Sequence, residues 1–168
     1  MELLDFRNKF LSLCGTTSID DLKNKLMDIV LNNDSQKYEI YCHVVENDLS
    51  VDQLQKVYQY YQADRNNLKQ DYTPKSLAKL VSKLVKSENV IDMCCGSGAL
   101  TIQRWCENPD TKFTLYEFDE NVIPYLLFNL AVRNTNAKVY HMDVLSQEVF
   151  NIYDVKPQEK FSKVVKIQ

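Results

Sequence analysis

The sequence is poor in features that mark several classes of protein. Its 168 residues include three glycines, four prolines and one tryptophan. No apolar run reaches the roughly 20 residues of a membrane-spanning helix. The start also lacks the basic and then apolar order of a signal peptide, so we expect a cytoplasmic protein.

An excess of basic charge and paired cysteines are lacking too. Lysine and arginine number 20 against 23 aspartates and glutamates, and the net charge of -3 argues against a protein that binds nucleic acid unaided. The five cysteines are odd in number and show no Cys-x-x-Cys pair. The sequence therefore predicts neither a disulfide framework nor a metal site.

Helical periodicity dominates the first part of the chain. Apolar residues recur at helical spacing through residues 1–70, Gly15 ends the first predicted helix, and Ser50 with Gln53 is predicted to cap the fourth. After residue 70, short apolar strands alternate with helices, which is typical of a parallel sheet with helical crossovers. We divide the chain into a helical segment, 1–70, and an α/β domain, 71–168. The predicted strands cover residues 89–93, 113–117, 138–142 and 162–167.

A glycine turn follows the first predicted strand. The run from Val90 to Leu100 reads Val-Ile-Asp-Met-Cys-Cys-Gly-Ser-Gly-Ala-Leu, so two glycines, Gly96 and Gly98, stand between a strand and a helix. Glycines let the backbone turn sharply and approach a ligand, and the next helix points its unpaired N–H groups at that space. Thr101 replaces the third glycine of a dinucleotide-binding loop, so the pattern disfavours a dinucleotide.

Three carboxylates lie at or near the ends of predicted strands. Glu117 ends the second strand, 19 residues after Gly98, a spacing at which an acid accepts hydrogen bonds from ribose hydroxyls in nucleotide-binding α/β folds. Asp119 competes with Glu117 for that role. Asp143 ends the third strand, where it is placed to accept from an adenine amino group. As the alternative, Glu117 and Asp143 are solvated carboxylates at strand ends.

Several motifs, taken in their order and spacing, resemble those of one enzyme family. Gln70-Asp71-Tyr72-Thr73-Pro74, the loop from Asp92 to Gly98, and Glu117 followed by Asn129-Leu130 resemble the methylase subunit of type I restriction-modification systems and related adenine-N6 DNA methyltransferases. The resemblance implies a Rossmann-like class I methyltransferase unit that binds S-adenosylmethionine, with about four parallel strands in the order 3-2-1-4 behind the helical segment. It assigns ten residues to the cofactor pocket: Tyr72, Thr73, Pro74, Asp92, Cys95, Gly96, Ser97, Gly98, Glu117 and Asp143.

The sequence departs from that family in two places. Met93-Cys94 replaces the usual Pro-Ala, which enlarges the side chains beside the pocket. The family's fourth strand leads into Asn-Pro-Pro and an aromatic residue, which orient and stack the target adenine. This sequence reaches Ile167-Gln168 without such a motif. We therefore expect a truncated unit that contains no catalytic residue and does not methylate alone.

Two functions are consistent with these observations. The first is an S-adenosylmethionine-binding protein related to the DNA adenine methyltransferases of restriction-modification systems. Its partner would be a catalytic or restriction-modification subunit, or a second copy joined through the open edge of the fourth strand, and it would meet DNA only indirectly. The alternative is a non-catalytic interaction or regulatory module with a vestigial cofactor pocket.

Overall fold

The structure, a computed structural model, describes residues 2–62 and 73–168, which contain seven helices and five strands. Among these residues, no helix combines the length and the apolar character needed to cross a bilayer. The first five helices are α1 Leu3–Cys14, α2 Leu22–Leu31, α3 Ser35–Val44, α4 Gln53–Tyr61 and α5 Lys75–Leu84. The remaining elements are β1 Asn89–Asp92, α6 Ala99–Glu107, β2 Lys112–Glu117, α7 Ile123–Val132, β3 Asn136–Asp143, β4 Glu148–Lys156 and β5 Lys163–Lys166.

The start of α4 differs from the predicted cap. The carboxylate of Asp52 accepts a hydrogen bond from the Gln55 N–H at 2.8 Å, so Asp52 is the N-cap residue. The predicted cap by Ser50 and Gln53 is wrong, because the Ser50 hydroxyl donates to Asp48 at 2.6 Å and holds the turn before the helix. Asp52 also accepts a hydrogen bond from Ser97, in the turn after β1.

The five strands form one sheet in the order β1-β2-β3-β4-β5. β1, β2 and β3 are parallel, and the crossovers between them contain α6 and α7, as the alternating pattern predicts. β4 is antiparallel to both β3 and β5. The predicted order 3-2-1 of parallel strands is therefore confirmed for β1, β2 and β3. The placement of the fourth predicted strand is wrong: the last strand is antiparallel to β4, a strand that was not predicted, and does not pair with β1.

A tight hairpin between β3 and β4 accounts for this difference. The side chain of Asp143 accepts hydrogen bonds from the N–H groups of Leu145 and Ser146, and Gln147 adopts a positive φ of 61°. The chain therefore reverses over residues 144–147 and returns as an antiparallel neighbour. A parallel return would need a crossover of about a dozen residues or more.

The sheet buries one face against the helices. The buried positions on that face are Phe113, Leu115, Ala137, Val139, Tyr153, Val155 and Val164. Alternate positions lie on the other face, where Ile91 and Val165 are 65% and 41% exposed. Within residues 2–62 and 73–168, helices therefore cover only one face of this sheet, whereas parallel sheets usually have both faces covered.

An aromatic cluster joins the N-terminal helices to the α/β part of the chain. The Phe128 ring on α7 contacts the rings of Phe10, Tyr38 and Tyr41, with centroid distances of 5.7, 5.4 and 5.1 Å. All four side chains are almost completely buried and belong to one hydrophobic core. The N-terminal helices are thus packed directly on the crossover helix α7. The domain boundary at residue 70 stays a prediction.

Phe128→Ala should lower the free energy of unfolding by about 3–5 kcal/mol, because it opens a cavity where three elements meet. Urea denaturation followed by circular dichroism measures the loss. Phe150→Ala is the matched control, since the Phe150 ring is 39% exposed and its removal leaves no closed cavity. Similar losses in the two variants would contradict the central place of Phe128 in the core.

Candidate functional site

The turn that connects β1 to α6, residues 95–98, is shaped by two glycines; we call it the glycine turn. Gly96 and Gly98 have φ angles of 57° and 97°, in the left-handed region. The Gly98 N–H donates to the Cys95 carbonyl at 2.9 Å, and the Gly98 carbonyl accepts from the Ile102 N–H at 2.8 Å. The first N–H groups of α6, which have no partner within the helix, therefore follow directly on the turn.

Glu117, the last residue of β2, faces the glycine turn. Its Oε2 accepts a hydrogen bond from the Gly96 N–H at 2.7 Å, and its Oε1 accepts from the N–H groups of Phe118 and Asp119 at 2.9 and 2.8 Å. Burial raises the pKa of Glu117, and these N–H donors act in the opposite direction by stabilising the carboxylate. The structure thus brings together the turn and the acid on which the cofactor hypothesis depends.

Asp92, at the end of β1, provides a second carboxylate beside the turn. It accepts a hydrogen bond from the Cys94 N–H at 3.3 Å, and burial raises its pKa. Burial, followed by the negative charges of Glu117 and Asp92, raises the pKa of the Cys94 thiol. Among the described residues, neither carboxylate forms an ion pair.

Asp119, the competitor of Glu117, is occupied by structural contacts. It is buried, its Oδ2 accepts from the Tyr58 hydroxyl at 2.5 Å, and its Oδ1 accepts from the backbone and side-chain amides of Asn121. Asp119 therefore ties α4 to the loop after β2. These contacts favour Glu117 as the acid that meets a ribose.

Asp143 ends β3, next to β2 in the sheet. Asp143 is half-buried, and hydrogen bonds from the Leu145 N–H and from Ser146 lower its pKa. These are the contacts of a residue that stabilises its own turn. A contact between Asp143 and an adenine group stays a prediction.

The other predicted site residues surround the turn or precede α5. Tyr72 lies outside the described residues, Thr73 is half-buried, and Pro74 is the N-cap of α5. Cys95 is buried and its N–H donates to the Tyr116 carbonyl at 3.0 Å; burial raises the pKa of its thiol well above the ordinary value. Cys95 thus packs in the hydrophobic core, and its contact with the cofactor stays a prediction. Within the described part of the chain, no group of acidic, histidine or cysteine side chains is arranged to hold a metal ion.

A buried polar network that the sequence did not reveal supports the turn from the side of the helices. The Ser97 hydroxyl donates to Asp52 Oδ2 at 2.6 Å. The side-chain amide of Asn129 donates to Asp52 Oδ1 at 2.9 Å and to the Ser97 carbonyl at 3.0 Å. Asp52 is 45 positions from Ser97 and 77 from Asn129, so no local motif indicates this contact. In the sequence, Asn129 is indicated only by the family resemblance.

Parallel strands joined by crossover helices, with a glycine turn after the first strand and an acid at the end of the second, are features of the class I methyltransferases. The model of the methyltransferase small domain family matches residues 67–155, and the chain belongs to that family. Its members normally bind S-adenosylmethionine. Comparisons with curated proteins and with solved structures find no match.

Gly98→Ala should lower the free energy of unfolding by about 1–3 kcal/mol, because an alanine at φ 97° is strained. The added Cβ would also lie 3.1 Å from Leu126 Cδ1. Gly15→Ala is the matched control: φ is 74°, but no atom lies within 4 Å of its added Cβ. Thermal denaturation should show the larger loss for Gly98→Ala, and equal losses would contradict the close packing of the turn on α7.

Proposed function

We propose that the chain binds S-adenosylmethionine between the glycine turn and Glu117, as part of an adenine-N6 DNA methyltransferase of the restriction-modification type. One observation carries the cofactor proposal: the 2.7 Å hydrogen bond from the Gly96 N–H to Glu117 Oε2. It brings a carboxylate to a turn in which Gly96 and Gly98 have no side chains, and this arrangement supports the binding of an adenosyl group.

The charges at the site fit this cofactor. S-adenosylmethionine carries a sulfonium, an ammonium and a carboxylate, so its net charge is positive. Asp92 and Glu117 accept hydrogen bonds from the backbone at the turn and have no protein counter-ion among the described residues. Burial removes water from a carboxylate and destabilises its charged form, and an approaching cation stabilises that form again. The two carboxylates therefore favour a positively charged nucleoside over a dinucleotide, whose phosphates are negatively charged.

Each residue has a distinct role in this proposal. A carboxylate has about four acceptor positions. Glu117 uses three of them for backbone N–H groups, and the fourth can accept from a ribose hydroxyl. Asp92 attracts the ammonium group, and Asp143 accepts from the adenine amino group of the cofactor. When bound, the cofactor supplies a methyl group activated by its sulfonium.

The type of target follows from the family resemblance. The order of the Tyr72-Thr73-Pro74 segment, the glycine turn and Glu117 resembles that of adenine-N6 DNA methyltransferases, and this resemblance supports the proposal. Asn-Pro-Pro does not occur in the 168 residues. In this proposal the flipped adenine is therefore held by an Asn-Pro-Pro motif in another segment or subunit. The net charge of -3 is consistent with indirect contact to DNA.

Glu117→Gln should weaken the binding of S-adenosylmethionine about 10- to 100-fold, because a charged hydrogen-bond acceptor contributes about 1.5–3 kcal/mol. Isothermal titration calorimetry measures the dissociation constants. Glu120→Gln is the matched control, since Glu120 is exposed and lies three residues further on. Its affinity should equal that of the wild type.

The pH dependence of the same titration gives a second readout. Burial raises the pKa of Glu117, so its charge is lost on acidification before that of an ordinary glutamate. Wild-type affinity should fall as the pH is lowered from neutral, and Glu117→Gln should lose less over that range. Absence of wild-type binding at high micromolar cofactor, or equal affinity of Glu117→Gln, would refute the proposal.

A second candidate function is an interaction module, which the open edge of β1 favours. The Lys112 N–H donates to the Glu88 carbonyl at 2.7 Å. The backbone N–H and C=O groups of successive residues in a strand point in alternate directions. Since the Glu88 carbonyl points toward β2, the backbone groups of Asn89 and Ile91 point away from it. The Ser87 hydroxyl contacts both backbone groups of Asn89, at 3.1 and 2.7 Å. Among residues 2–62 and 73–168, Ile91 remains as the open position for an added strand.

The predicted open edge, that of the last strand, is closed at its centre. The Asn33 side chain accepts from the Val164 N–H at 2.7 Å and donates to the Val164 carbonyl at 3.1 Å. β1 instead lines a crevice of about 180 Å³ together with residues of α5 and α6. The partner in this hypothesis is a polypeptide that adds an apolar strand beside β1.

Ile91→Pro should abolish such a complex, because proline removes the outward N–H while an edge strand tolerates it. Ile91→Val keeps the N–H and is the control. Co-purification from the native host, followed by size-exclusion chromatography, should yield a complex with the wild type and Ile91→Val only. A wild-type chain that elutes alone as a monomer would refute this function.

A further inference from the structure

Asp52 belongs to two parts of the structure at once. Its Oδ1 accepts from the Gln55 N–H at 2.8 Å, which caps α4, and from Asn129 Nδ2 at 2.9 Å. Its Oδ2 accepts from the Ser97 hydroxyl at 2.6 Å. The residue is 7% exposed. One buried carboxylate therefore connects the N-terminal helices, α7 and the glycine turn.

The position of Asp52 is fixed by Arg133, which is buried at the end of α7. Its guanidinium donates to the carbonyls of Leu49 and Val51 at 2.9 and 3.2 Å, and to Asn129 Oδ1 at 2.9 Å. The segment that carries Asp52 is thus held from α7. Since buried polar groups need several partners, this network specifies one arrangement of the three elements.

Ser97 is the point at which the network meets the glycine turn. Ser97 is 1% exposed, and both its hydroxyl and its carbonyl are hydrogen-bonded, to Asp52 and Asn129. Its neighbours Gly96 and Gly98 have no side chains and are free to adopt many backbone conformations. The contacts of Ser97 therefore contribute strongly to selecting one conformation of the turn.

We propose that Asp52 is a positioning residue that holds the glycine turn in the shape that receives the cofactor, so that cofactor affinity depends on the docking of the N-terminal helices. This inference rests on the proposed function of the turn in binding S-adenosylmethionine. Asp52 does not touch the cofactor in this scheme, because its carboxylate is directed at Ser97 and Asn129 on the buried side of the turn.

The test separates the two roles of Asp52 by Asp52→Ser. Serine is also a good N-cap, so α4 keeps its first hydrogen bond, but its side chain is too short to reach Ser97. Asp34→Ser is the matched control: Asp34 caps α3 through the Lys37 N–H and has no contact with the turn. Ser97→Ala removes the same hydrogen bond from the other side.

Hydrogen exchange of the cofactor-free protein is the first measurement. Asp52→Ser and Ser97→Ala should accelerate exchange in residues 95–101 about tenfold, while α1 to α3 keep their protection. Asp34→Ser should leave the turn unchanged. If Asp52→Ser exchanges in the turn like Asp34→Ser, the proposal is wrong, whether or not the wild type binds S-adenosylmethionine.

Calorimetry with S-adenosylmethionine is the second measurement. Asp52→Ser and Ser97→Ala should each weaken binding about tenfold, and the double variant should be little weaker than either, since both remove one shared interaction. Additive losses in the double variant would refute the coupling. Failure of the wild type to bind would refute the proposed function, and the exchange result would still decide the role of Asp52.

Discussion

The hydrogen bond between Gly96 and Glu117 is the contact on which the site depends. β1 and β2 are parallel neighbours, so their carboxyl ends meet at one edge of the sheet. The bond then requires the backbone after β1 to turn back toward β2, which Gly96 allows with its φ of 57°. Without this contact the sheet would remain, but the acid and the turn would no longer define one space.

The turn is held from two sides that come from different parts of the chain. Glu117 binds it from the sheet, and Asp52 binds it through Ser97 from the helices. The helical segment shares the core of α7 through Phe128, so its docking and the shape of the turn depend on one set of packed side chains. The N-terminal helices are therefore part of the site's structural support.

Sequence patterns predicted the features that depend on nearby residues. Gly15 ends α1 as predicted, and Gly96 and Glu117 meet because strand, turn and spacing are local signals. The hairpin to β4 was missed because Ser146-Gln147 is not a typical turn pair, although Gln147 takes the positive φ. Asp52 was missed because its partners are distant in sequence, and the Ser50 pattern offered a more obvious cap.

The raised pKa values at the turn also bear on what the site binds. Burial raises the pKa of both Asp92 and Glu117, so each charge makes folding less favourable at neutral pH than it would with full hydration. A cation bound near these carboxylates would lower their pKa values and recover part of that free energy on binding. A neutral hydrogen-bond donor stabilises one carboxylate at a time, and an anionic ligand would raise both pKa values. The burial that disfavours the two charges thus favours a cationic ligand, which is consistent with the proposed binding of a sulfonium nucleoside.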